Sequence, residues 1–164
     1  MATRSAATSR PEHGPRPGSG VTAVAGAGEW QHFAHGADIG VRGRGTSLAS
    51  AFEQAARALT AVVTDLAAVR PVRSVTIECR APDPELLLYE WLNSLVFQMA
   101  TQRMLFGEYA VTIADGQLSA VVRGEPVDVA RHAPAVEVKG ATFTELAVRR
   151  EPDGRWCVQC VLDV

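Results

Sequence analysis

The chain has 164 residues, 47% of them apolar and 21% charged, with a formal net charge of −2. That balance suits one globular domain with a single core and argues against a nucleic-acid binder that works by bulk electrostatics. No apolar run reaches the ~18 residues of a membrane-spanning helix, the start lacks the apolar segment of a signal peptide, and three cysteines, an odd number, fit a reducing, cytoplasmic setting better than a disulfide framework.

Residues 1–28 are rich in Ala, Ser, Gly, Pro and Thr and hold no large aromatic side chain. Such a segment cannot bury enough apolar surface to offset the entropy of ordering it, so it reads as a disordered tail. Pro11, Pro15 and Pro17 break any amphipathic targeting helix there. Arg4, Arg10 and Arg16 against Glu12 give the tail a charge of +2; subtracting that from −2 leaves −4 on residues 29–164, read as the folded domain.

Trp30 opens the fold. Residues 29–34 read as extended, the chain turns at His35-Gly36, and residues 39–43 form a second extended piece, with Arg42-Gly43-Arg44-Gly45 a short basic turn. Thr46 or Ser47 suits an N-cap, because a side-chain oxygen there accepts a free helical N–H. A helix over residues 48–66 follows, with Phe52, Ala55, Leu59, Val62 and Val63 on one face at the 3.6-residue period. Residues 72–81 alternate as a strand, with Val75, Ile77 and Cys79 inward.

Asp83 is an N-cap with Pro84 at the first position of a second helix, which runs to about Gln102. Leu88, Trp91, Leu92 and Leu95 form its apolar face; Glu90 and Asn93 are polar islands that read most simply as exposed. After Gly107 the period becomes two. Residues 109–114 and 117–124 read as strands joined by a tight Asp115-Gly116 turn. A polar loop over residues 125–134 contains Asp128, Arg131 and His132. Residues 136–139 lead into a strand over residues 142–150, and a turn at 152–154 precedes a last strand over residues 155–162. This order predicts a single α+β domain, two long helices packed on a mixed, largely antiparallel sheet.

Few residues carry obvious chemistry. Cys157 and Cys160 have metal-ligand spacing, but residues three apart on a strand point to opposite faces. Phosphate-binding glycine loops and a nucleophile elbow are both missing. His32 and His35 have no third zinc ligand. The carboxylates say more, because hard cations want oxygen ligands. Asp38 lies in a glycine-flanked turn, Asp163 follows the last strand, and Val164 adds a terminal carboxylate. Two readings stand: the three form one anionic cage, or Asp38 caps a turn and Asp163 is solvated. Spacing alone favours the second.

A series of short motifs bears on that choice: HGADIG (residues 35–40), SLASAFEQAARAL (47–59), LLYEWLNSL (87–95), Leu105-Phe106, GEPVDVARH (124–132), EVKGATF (137–143) and a final LDV (162–164). In this order they resemble the archease family over residues 30–164. The resemblance implies an archease-like fold and a non-enzymatic accessory role. Archeases assist the RtcB-type RNA ligase, which joins 2′,3′-cyclic-phosphate or 3′-phosphate ends to 5′-hydroxyl ends in tRNA splicing and RNA repair. That ligase is first guanylylated on a histidine with GTP and Mn²⁺, and the archease speeds this activation and allows repeated turnover.

By the same resemblance Asp38, Asp163 and Val164 are the metal ligands, for a divalent ion expected to be calcium. His35, Glu90, His132 and Lys139 are implied contacts with the ligase. The mildly acidic balance of residues 29–164 points to no strong direct nucleic-acid binding, and the lack of a long apolar run to no membrane. The resemblance also leaves an alternative role, a chaperone-like modulator of a tRNA-modifying enzyme such as a methyltransferase. One departure stands out: the acidic residues the family often carries before its LLF motif are replaced here by Ala100-Thr101-Gln102-Arg103-Met104.

Overall fold

A computed structural model describes residues 22–24 and 28–164; the expectation of a disordered tail otherwise falls outside them. Within the predicted tail, Thr22–Val24 form a short strand, β1, which pairs antiparallel with β2 (Gly28–His35). β2 and β3 (Asp38–Gly45) make a hairpin in which His35 pairs with Asp38 across Gly36-Ala37. Gly36 takes φ +58, the left-handed conformation a two-residue hairpin loop wants at its first position.

The predicted basic turn at Arg42-Gly43-Arg44-Gly45 is instead the second half of β3. Its alternation has a packing cause. Val41, Gly43 and Gly45 face helix α1 (Leu48–Val63), while Arg42 and Arg44 face away. At Gly43 a Cβ would come within 2.4 Å of the Ala51 carbonyl and the Ala55 N–H, so glycine lets the helix lie directly on the strand.

Ser47 caps α1 and exchanges hydrogen bonds with Ser50. The helix stops at Val63, three residues before the predicted end, because Thr64 turns extended and its hydroxyl donates to the His132 carbonyl. Asp65 then caps a single 3-10 turn, Leu66–Ala68. Strand β4 (Arg73–Arg80) leads to α2 (Pro84–Gln102), capped by Asp83 with Pro84 first as predicted. Trp91 and Leu92 are fully buried, and the Trp91 indole N–H donates to the Phe52 carbonyl of α1.

β5 begins at Met104 and runs to Ala114, five residues earlier than the alternation predicts. A bulge between Phe106 and Glu108 explains the difference: Met104, Leu105 and Phe106 are all buried, and regular alternation resumes only beyond it. Asp115 and Gly116, both at positive φ, close the hairpin to β6 (Gln117–Pro126). The loop after β6 contains one helical turn, α3 (Val129–His132).

The predicted strand over residues 142–150 is two pieces, β7 (Gly140–Ala141) and β8 (Ala147–Arg150), both paired with β9 (Trp156–Asp163). Residues 142–146 leave the ladder between them and lie over β9, where the Val161 N–H reaches the Thr144 carbonyl. The strands form two sheets: β1-β2-β3-β9-β7, with β8 also on β9, and β4-β6-β5. Every pairing among the described residues is antiparallel. The fold is thus α+β, with two long helices against antiparallel sheets.

Candidate metal centre on the outer face of the larger sheet

The larger sheet has an inner face turned to α1 and an outer face turned away. On β9, Val158, Cys160 and Leu162 belong to the core. Cys157, Gln159, Val161 and Asp163 therefore point outward. Cys157 and Cys160 thus sit on opposite faces, as their spacing requires, and burial pushes the Cys160 thiol up to about 12.

Register decides where the carboxylates go. Ile39 pairs with Leu162, so one step further Asp38 lies opposite Asp163. His35 pairs with Asp38 on one side, and Gly140 pairs with Asp163 on the other. The result is one outward row, His35–Asp38–Asp163–Gly140, across four strands. A step beyond it, the Lys139 N–H donates to the Asp163 carbonyl at 2.8 Å, which sets Lys139 beside Val164. His35, Asp163 and Lys139 are exposed; Asp38 and Val164 are half-buried.

α2 holds this edge. Asn93 accepts from the Ala141 N–H at 3.0 Å and donates to the Ala141 carbonyl at 3.4 Å, tying β7 to the helix. The simple sequence reading of Asn93 as an exposed helix position therefore fails: its amide is a clamp on the strand that flanks Asp163.

The row is electrostatically unfinished. Directly opposed side chains on paired strands sit about 4.5–5.5 Å apart at Cβ, and like charges there repel. None of the ion pairs among the described residues involves Asp38 or Asp163. Among the described residues, no three His, Cys, Asp or Glu side chains gather as a complete metal-holding set. The donor chemistry nonetheless fits a hard cation: two opposed carboxylates and the adjacent main-chain oxygens of Val164.

The other implied contact residues lie elsewhere. Glu90 is exposed on α2 in a groove of about 320 Å³ toward β4, shared with Glu78 and Phe97. His32 turns inward to the Ala58 carbonyl of α1, 2.7 Å away. His132 is 3% exposed, which removes it from any partner-facing surface. Its Nδ1 accepts from the Asp128 N–H at 2.8 Å and its Nε2 lies 2.8 Å from Glu125 Oε1. Glu125, itself 3% exposed, also pairs with Arg131 and accepts from the Arg70 N–H at 2.9 Å. Burial first, and Arg131 second, hold the His132 imidazole below its usual pKa. This network fastens α3 to the end of α1; the sequence signal for it was the GEPVDVARH spacing, which reads equally well as a surface loop.

Residues 30–164 match the family model described as the Archease protein family (MTH1598/TM1083). The chain belongs to the archease family. It is 36% identical over 140 residues to protein archease of Pyrococcus furiosus, covering 83% of this chain and 99% of that one. It is 37% identical over 139 residues to protein archease of Thermococcus gammatolerans, covering 82% and 98%. The fold is similar to the solution structure of protein 1598 of Methanobacterium thermoautotrophicum, at TM-score 0.68 and 28% identity over 82% of this chain and 98% of that one. No described helix of this archease is long and apolar enough to cross a membrane.

Proposed function

We propose that this archease is a non-enzymatic, metal-binding activator of an RtcB-type RNA ligase, promoting guanylylation of the ligase histidine and multiple turnover in tRNA splicing and RNA repair. The observation that supports it is the placement of Asp38 opposite Asp163, beside Val164, at an exposed sheet edge. Asp38, Asp163 and the main-chain oxygens of Val164 would hold the ion, expected to be calcium. The bound ion would supply a positive centre at a surface that otherwise presents opposed carboxylates.

The chain's own residues do the positioning. β3 and β9 fix the two carboxylates by register, and Asn93 holds β7 against the far side of β9. His35, at the end of the row, and Lys139, a step beyond it, are exposed donors suited to a partner's anionic groups. Glu90 lies off this row on α2, where it could touch the partner only if the contact extends across that helix.

The test is single-turnover guanylylation of the RtcB-type ligase from the same source at limiting GTP, with and without this archease. Faster labelling of the ligase histidine, lost in Asp163→Asn, is the expected result. A folded, calcium-loaded protein that leaves the rate unchanged overturns the reading, and the chaperone-like role on a tRNA-modifying enzyme would take its place.

A further inference from the structure

The outer sheet face has a second chemical end. One row pairs Glu29, Arg44, Cys157 and Arg149 across four strands, and the next pairs Gln31, Arg42, Gln159 and Ala147. Arg42, Arg44, Arg149 and Arg150 line a groove of about 400 Å³ with Glu151 and Cys157. Four guanidiniums meet Glu151 in the groove and Glu29 beside it, 3.7 Å from Arg44, a formal +2 in a chain whose total is −2. Arg155 stands 3.9 Å from Glu29 at the rim.

Three of the arginines serve the fold, Arg150 among them, whose Nε–H donates to the Gly154 carbonyl at 3.3 Å. Arg44 is held by Glu151 at 2.7 Å, and Arg42 donates to Gln159 at 2.8 Å. Arg149 and Arg150 are exposed and take part in no ion pair among the described residues. On the outer face Arg42 lies over the Phe33 ring at 4.8 Å beside the groove; Arg150 lies over the Trp156 ring at 5.6 Å, and Trp156 packs against the core on the other side of β9. The planar guanidinium offers a fork for phosphate and a flat face for stacking. An arginine stacked on an aromatic ring beside a basic groove is an element that holds single-stranded nucleic acid, phosphates on the charges and a base on the free guanidinium face. An acidic peptide would engage the charges and leave the stacked face of Arg42 unused. At ~3.3 Å per strand residue, Arg44 stands about 20 Å from Asp38 along β3.

We propose that this arginine groove binds the phosphate backbone of single-stranded RNA. The contact is weak because it rests on a handful of charges, and it weakens with salt because those charges displace counterions from the phosphates. Its residues are distinct from Asp38, Asp163 and Val164, so it stands whether or not the ligase reading does.

The test is fluorescence anisotropy of an end-labelled oligouridylate with the whole protein, in EDTA so that no divalent ion contributes, from low salt upward. Arg149→Glu/Arg150→Glu is compared with Arg73→Glu/Arg123→Glu, which makes the same charge change at exposed positions on the smaller sheet. The wild type is expected to bind at low salt. The groove variant should bind about tenfold more weakly, with the slope of log affinity against log salt shallower by about 1.4, at roughly 0.7 per phosphate contact. The control pair should stay within about twofold. No wild-type binding at the lowest salt, an equal loss in the control pair, or equally tight binding of a polyglutamate of matching charge would each overturn the proposal.

Discussion

Asp38→Asn should change stability in opposite directions with and without a divalent cation. The substitution keeps the side chain's shape and removes one of the two charges, Asp38 and Asp163, that register sets face to face. In EDTA the wild type carries the repulsion of opposed like charges, about 0.2–1 kcal/mol for a cross-strand pair. The variant should therefore be as stable or slightly more stable, by at most a few degrees in Tm, given about 2–8 °C per kcal/mol for domains near this size. In calcium at about a hundred times the dissociation constant, the wild type gains about 2.7 kcal/mol by mass action. Asp38→Asn should lose most of that gain and unfold below the wild type. Thermal unfolding followed by circular dichroism, in EDTA and across a calcium titration, reads both signs. A variant that keeps the full calcium-induced rise refutes the metal reading. A variant less stable in EDTA by more than about 1 kcal/mol shows instead that Asp38 serves the turn.

Asn93→Ala should cost roughly 1–3 kcal/mol, because it leaves the Ala141 N–H and carbonyl without their partner. It should also weaken calcium binding by titration calorimetry, since β7 then flanks Asp163 less firmly; unchanged affinity would limit Asn93 to the fold. The His132 network makes stability fall in mild acid. Its imidazole is held below the usual pKa in the folded state, so the unfolded chain binds the extra proton. That stability is complete above the unfolded value of about 6.5 and is lost as pH falls from there toward the folded value. Denaturant unfolding between pH 7.5 and 5 checks it: His132→Gln should flatten the dependence, and an equally steep curve in the variant places the titrating group elsewhere.

What is local was legible in the chain. Ser47, Asp83 and Pro84 mark helix starts by hydrogen-bonding chemistry that needs no distant partner, and Asp115-Gly116 carries the backbone angles of its own turn. Periodicity showed the inner faces of α1 and β4 because one long-range fact, burial against a core, imposes itself on every third or fourth, or every second, residue. Where that regularity breaks, the reading broke with it. Three successive inward residues at Met104, Leu105 and Phe106 hide a strand, and residues 142–146 carry strand-like residue types while leaving the ladder.

The candidate sites depended on tertiary structure to different degrees. Family motifs singled out Asp38 and Asp163 but said nothing of how they meet, and they marked His132 as a contact although it is enclosed. Asp38 and Asp163 are 125 positions apart, and only the register of β3 on β9 sets them face to face. The arginine groove was concealed further. Whole-chain charge is a sum that is blind to position, and Arg42 and Arg44 join Arg149 and Arg150 only because β9 lies between their strands. Covalent neighbours determine helices, caps and tight turns. Strand pairings between distant segments are chosen by burying one face of each strand in a common core, and that choice decided which charges this protein presents together.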